Sequence, residues 1–259
     1  MNAVSMGRSS SRTIGTLENA CRIIGVLRET EGAGVTEIAD ELDFAKSAVH
    51  GHLATLRSEG FVVKDDHTYR LSLRFLQIAE EVKNYTADHT IVKEELAQLA
   101  EATGEVVHFG TEEQGRVVYL AKVRGNVAVE TASKVGNRMP MHSTSLGKAI
   151  LAEMPSERRD EIIERHELTK ETDRTITDPD ALRADLEETR ERGYSIDDEE
   201  NIRGVRCIGM VVSAPDGEVM GALSISGPSK RMTDKRMRDE LYEQVAQSAN
   251  VIEVNSRYS

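Results

Sequence analysis

The chain is 259 residues long, with a net charge of −12, 4% aromatic residues and no tryptophan. It contains no run of 18 apolar residues, which excludes a transmembrane helix, and its opening MNAVSMGRSSSRT lacks the apolar stretch of a signal peptide, so 1–12 read as a flexible Ser/Arg arm. Two cysteines far apart, Cys21 and Cys207, support neither a disulfide framework nor a cysteine-based zinc site; the whole predicts a two-domain cytoplasmic protein away from membranes, with no cofactor and no metal.

The negative charge is unevenly spread. Residues 1–73 hold 8 Lys plus Arg against 10 Asp plus Glu, and the remaining 186 hold 25 against 35. Arginine outnumbers lysine 23 to 10. An acidic, lysine-poor chain fits a high-salt interior, where screening shortens the reach of charge repulsion to a few ångströms.

Leu17, Ala20, Cys21, Ile24 and Leu27 recur at helical spacing and predict a first core helix. From Gly34 to Gly60 the pattern gives two short helices joined by a tight turn. The first covers Thr36–Leu42, with Thr36 as N-cap and Ile38, Ala39 and Leu42 as its apolar stripe. After Asp43-Phe44, a helix from Ala45 to Ser58 turns Val49, Leu53 and Leu56 inward and shows Lys46, Ser47, His50, His52, Thr55 and Arg57 outward. No carboxylate occurs between Asp43 and Glu59 in a chain with 45 Asp plus Glu, the gap that a surface facing phosphate requires. Two short strands, Phe61–Lys64 and Tyr69–Leu73, then predict a hairpin. Together, 13–73 read as a winged helix-turn-helix for double-stranded operator DNA, with the second helix entering the groove and the hairpin beside it. Ser47, His50 and Thr55 fall nearest to base edges, with His52 also approaching the DNA. Lys46, Arg57, Lys64 and Arg70 meet phosphate, which positions but does not specify. A helical hairpin packing on another protein is the competing reading.

Residues 74–90 carry helical periodicity and predict a linker helix, and Thr90–Ala102 a further helix stopped by Gly104. Beyond Glu105 the period changes to two. Strands are expected at 105–112, Arg116–Val123, Asn126–Ala132, Tyr194–Asp197, Val205–Ala214 and Glu218–Ser226, with helices at Ser143–Met154, Ser156–Glu167, Asp180–Arg192 and Asp234–Val254. An antiparallel sheet with helices at both ends of its sequence makes 91–259 an α+β domain of the small-molecule sensor type.

Three segments there are unusual for pure scaffold. Met139–Ala149 places Ser143, Thr144 and Ser145 at a helix N-terminus, where unpaired N–H groups favour an anion. Asp197–Gly209 runs from a carboxylate cluster into a strand centred on Cys207. Ser224 and Ser226, two apart on a strand, project from one face. With Ser10-Ser11-Arg12-Thr13 and Ala45–His50, the stretches His142–Ala149, Gly193–Cys207 and Ser224–Pro228 resemble the IclR family of transcriptional regulators, in order, over about residues 10–255. The resemblance implies a winged helix-turn-helix domain, a linker helix that helps dimerise, and a GAF-like effector domain. It implies a homodimer or dimer of dimers on operator DNA, and a small carboxylate or sugar-derived effector. Carried over by motif, the N–H groups of Ser145 and Leu146 hold the effector carboxylate. Asp197, Cys207, Ser224 and Ser226 add polar contacts, and Met139 and Val205 an apolar wall. Gly51 departs from the family pattern, in which a larger, often basic residue follows the histidine.

Two other classes compete. An enzyme would use Cys207 as nucleophile with His108 or His142 as base, but apolar neighbours Val205, Ile208 and Met210 suggest an unreactive thiol. A constitutive DNA-binding regulator would use the second domain only to oligomerise.

Overall fold

The computed structural model describes residues 12–83, 85–128 and 133–256. Its chain divides into two compact units between Val82 and Lys83. No helix among the described residues is long and apolar enough to cross a membrane.

In the first unit, α1 (Gly15–Glu29), α2 (Val35–Leu42) and α3 (Lys46–Ser58) close a core capped by the hairpin β1 (Val62–Asp65) and β2 (Thr68–Leu71). Ile23, Leu27, Ile38, Val49, Leu53 and Val62 are buried together there. The turn between α2 and α3 is tight because Asp43 adopts a left-handed conformation (φ +55°), which Asp tolerates better than most residues. Ala33 bridges to Tyr69, tying the α1–α2 connection to the hairpin.

Several local expectations are corrected here. Thr36 does not cap α2: the cap position is Gly34, whose N–H donates to the Glu37 carboxylate at 2.7 Å. In α1 the buried stripe is Ile23, Val26 and Leu27, whereas Leu17 and Cys21 are exposed. Apolar residues cover so much of this helix that periodicity alone left its rotation open, and packing against α2 and α3 chose the face. The linker helix is shorter than 74–90, since α4 (Arg74–Lys83) ends early and Asp88 caps the next helix through the N–H groups of Thr90 and Ile91.

The second unit is a six-stranded antiparallel sheet, ordered β5 (Arg138–Pro140), β4 (Arg116–Arg124), β3 (Val106–Glu113), β8 (Val219–Pro228), β7 (Val205–Ser213) and β6 (Ser195–Asp198). Alternation along β3, β7 and β8 sends Val107, Phe109, Ile208, Met210, Leu223 and Ile225 to one face. That face buries against α5 (His89–Thr103) and the C-terminal helical run of α9 (Asp234–Arg236), a π turn at Met237–Leu241 and α10 (Tyr242–Ser256). The helix expected over 234–254 therefore contains a π turn. The opposite face receives α6 (Ser145–Glu153), with α7 (Ser156–Arg165) and α8 (Pro179–Arg192) packed around it.

The strand expected over 126–132 is not borne out where it can be followed. Asn126 and Val127 form a turn, with Val127 N–H donating to Gly104 O at 3.2 Å, and 129–132 lie outside the described residues. The arm of 1–12 lies outside them too, except Arg12. The short β5 strand had no counterpart in the sequence pattern.

Glu105 is fully buried where α5 turns into β3, and receives Arg231 through Nε at 2.9 Å and Nη2 at 2.6 Å, and Arg236 through Nη1 at 2.9 Å. Burial alone would raise its pKa, but the arginine hydrogen bonds outweigh burial and hold it below the ordinary value of 4.5. Its stabilisation is thus fully present above pH 4.5 and is lost as pH falls through the folded-state pKa. Glu105→Gln is expected to cost about 2–3 kcal/mol at neutral pH, because both arginines retain partial solvation. Urea unfolding of both proteins checks this, and the difference should shrink in acid. A Cβ at Gly51, mid-way along α3, meets no atom within 4 Å. Gly51→Ala is therefore expected to raise the stability of the first unit by about 1 kcal/mol, read as a higher urea midpoint.

Candidate nucleic-acid interface and ligand cavity

On α3, Val49, Leu53 and Leu56 face the core, and Lys46, Ser47, His50, Thr55 and Arg57 are exposed. His52 is half-buried on the flank of the helix, since two residues at 100° each carry it far around from His50. Thr55 Oγ1 donates to Gly51 O at 3.1 Å, so its hydroxyl is already engaged with its own helix. Lys64 lies 5.6 Å from the Tyr69 ring centroid, and Arg70 is 3.6 Å from Asp65. A shallow cleft of about 550 Å³ runs between His50, Lys64 and the start of α2, lined also by Thr36, His67 and Thr68. The α2 edge and His67 were missed, because only the folded hairpin brings them beside α3.

In the second unit, a cavity of about 180 Å³ lies between the sheet and the start of α6. All eight residues expected at an effector site line it: Met139, Ser145, Leu146, Asp197, Val205, Cys207, Ser224 and Ser226. Strand register explains the convergence, since Ser224 pairs with both His108 and Gly209, and Ser226 with Cys207. Thr144 caps α6, its Oγ1 accepting from Gly147 N at 3.2 Å. The N–H groups of Ser145 and Leu146 occupy the first helical positions and have no partner carbonyl within the helix.

Asp197 Oδ1 accepts from the N–H groups of Glu200 at 2.8 Å and Asn201 at 3.3 Å, while Oδ2 lies 3.7 Å from Cys207 Sγ. Burial lifts Asp197 to about 7; the Glu200 charge adds to this, and the two N–H bonds and Lys148 oppose it. Burial, with Asp197 beside it, pushes the Cys207 thiol well up, so it stays protonated and is a poor nucleophile. His108 Nε2 is 2.9 Å from Ser133 Oγ, and its ring centroid is 4.8 Å from that of Tyr119. Burial and then Lys122 lower His108 to about 3, which keeps it neutral. Lys148, buried behind the cavity, bonds Glu200 and lies 3.0 Å from Asp185, fastening the loop after β6 to α6.

His108, Tyr119, Ser133, Asn137, Asn201 and Ile202 also line the cavity and were missed as ligand-site residues. His108 carried a usable signal, a polar residue on the alternate face from Val107 and Phe109. Ser133 and Asn137 carried none.

Comparison with known proteins gives the same two parts. A model described as the IclR helix-turn-helix domain matches residues 16–66, and one for the bacterial transcriptional regulator IclR C-terminal region matches 87–254. The chain is 34% identical over 258 residues to the "Probable HTH-type transcriptional regulator ArcR" of Halobacterium salinarum, covering 98% of each chain. It is similar to the crystal structure of the Thermotoga maritima IclR, with a TM-score of 0.80 and 28% identity over 94% of this chain and 99% of that one. An IclR homolog from Microbacterium hydrocarbonoxydans, complexed with 4-hydroxybenzoate, shares the fold at a TM-score of 0.80 and 21% identity, over 94% of this chain and 100% of that one. These relatives are regulators, not enzymes, and with both family models in place over most of its length the chain belongs to the IclR family of DNA-binding transcriptional regulators.

Proposed function

We propose that this regulator binds its operator through α3 and the hairpin, acting in the cytoplasm, and that a small carboxylate or sugar-derived acid in the cavity changes that binding. The observation that carries the effector reading is the convergence of a capped helix N-terminus, two strand hydroxyls and an apolar wall on one buried space. The N–H groups of Ser145 and Leu146 supply the carboxylate site, Ser224, Ser226 and Asp197 orient the rest, and Met139, Leu146 and Val205 enclose it. The 4-hydroxybenzoate held by the Microbacterium homolog supports the same chemistry.

A homodimer or dimer of dimers fits the apolar residues left exposed at and on α4, where Leu73 is 81% exposed and Leu76 63%. An effector shifts DNA affinity only if it binds the two regulatory states unequally.

Mobility shift on DNA upstream of the gene, at several salt concentrations and with acetate, pyruvate, glyoxylate and 4-hydroxybenzoate, tests both parts. Specific binding altered by one acid is expected in the wild type. Ser224→Leu, which fills the cavity, should bind DNA as before and lose the response. A response that survives Ser224→Leu would place the effector elsewhere. Lys64→Ala should weaken specific and non-specific binding alike and make the salt slope shallower by about 0.9, the share of one neutralised phosphate.

A further inference from the structure

The cavity is poor in positive charge. Among the described residues its titratable lining groups are His108, Tyr119, Asp197 and Cys207, with no lysine or arginine. The nearest buried ammonium, Lys148, already faces two carboxylates, Glu200 and Asp185. Lys122 lies beyond His108, with its Nζ donating to Ser133 O at 2.7 Å. An acid anion confined to about 180 Å³ therefore comes close to the Asp197 carboxyl, and among the described residues no cationic side chain lines the cavity to balance two negative charges.

The surroundings of Asp197 also say where a proton would go. From the following loop, Glu200 and Asn201 occupy Oδ1 with their N–H groups. Cys207 on β7 stands beside Oδ2, and its own pKa is pushed up, so it cannot supply the proton. Tyr119 on β4, raised by burial, stays neutral; His108 on β3 is held down at about 3. Ser226 on β8 and Ser145 on α6 complete the wall. Oδ2 is the one carboxyl oxygen that the loop leaves available, and a proton there turns an anion-repelling oxygen into an O–H donor.

We propose that an acid effector enters this cavity together with one proton, which rests on Asp197 Oδ2 and donates a hydrogen bond to the effector, so that occupancy reports pH as well as acid concentration. The proposal rests on the carboxylate reading of the cavity and deepens it. Proton balance is simple: the free site releases a proton as pH rises through the Asp197 value, and binding an anion takes one back up. Affinity is highest below about 7 and falls by about tenfold per pH unit above it, until the bound-state pKa is passed.

Titration calorimetry of the full chain with pyruvate, glyoxylate and 4-hydroxybenzoate at millimolar concentration tests this. Each acid is run in phosphate and in Tris, from one pH unit below to about one and a half above the Asp197 value of about 7. The buffer dependence of the heat counts protons in the wild type, without any variant. Uptake approaching one proton at the alkaline end, with the tenfold-per-unit loss of affinity, is the expected result. Asp197→Asn keeps the Oδ1 acceptor and puts an N–H donor at the other position, so it should still bind, with no uptake and no pH slope. An acid that binds the wild type with neither uptake nor slope overturns the proposal and leaves the carboxylate reading standing. Uptake that persists in Asp197→Asn and vanishes in His108→Gln also overturns it. If none of these acids binds at any pH, both the proposal and the reading beneath it fall.

Discussion

The close approach of α6 to the sheet at Gly209 governs the second unit. A Cβ on Gly209 would lie 2.7 Å from the Ser145 carbonyl oxygen and 2.6 Å from Ser195 Oγ, so only glycine lets the helix start there. Ser195 Oγ donates to that same carbonyl at 2.6 Å and fastens the contact. With the helix seated so low, its first N–H groups open over Ser224, Ser226 and Cys207 and not into solvent. A larger residue at this strand position would lift α6, and the cavity would lose the end that favours an anion.

Charge then fixes the loop after β6. Lys148 carries one positive charge into the interior on α6, and burying it without partners would be prohibitive. Glu200 meets it, and that bond draws the chain back so that the N–H groups of Glu200 and Asn201 fall on Asp197. The acidic run Asp197–Glu200, which looks like a solvated loop in sequence, thus divides into separate roles. Asp197 and Glu200 turn inward, while Asp198 meets Arg174 at 2.7 Å and Arg206 at 2.6 Å near the surface.

What could be read in advance follows from which physical rule acted locally. The carboxylate gap around α3, the hairpin and the glycine stops at Gly104 and Gly193 are short-range effects, and the folded chain keeps them. Ser224 and Ser226 were legible because a strand's period of two does not depend on its neighbours. The rotation of α1 was not, because Leu17, Ile23, Ile24 and Leu27 offered two apolar faces and only tertiary packing decides between them. The connection from Asn126 onward misled for a related reason. Val127 has strand propensity, but a Cβ on Gly125 would sit 2.2 Å from the Gly104 backbone carbon, and that close approach turns the chain away. Ser133 and Asn137 reach the cavity through this connection, where no periodicity exists to report them.

The DNA-facing unit poses an electrostatic problem of its own. Asp65 and Asp66 stand at the tip of the hairpin, exposed, and Asp65 draws Arg70 towards itself. A hairpin with an acidic tip repels phosphate wherever it lands first, whereas Lys64, one residue back, lies against Tyr69 beside the His50 cleft. In the docking mode proposed above, attraction is therefore strongest with α3 already seated, and weakest for a glancing approach by the tip. At molar ionic strength the Debye length is about 3 Å, so only charges close to phosphate act at all. In that regime the net charge of the chain matters little to DNA binding, and in the proposed docking mode the positions of Lys46, Arg57 and Lys64 matter far more.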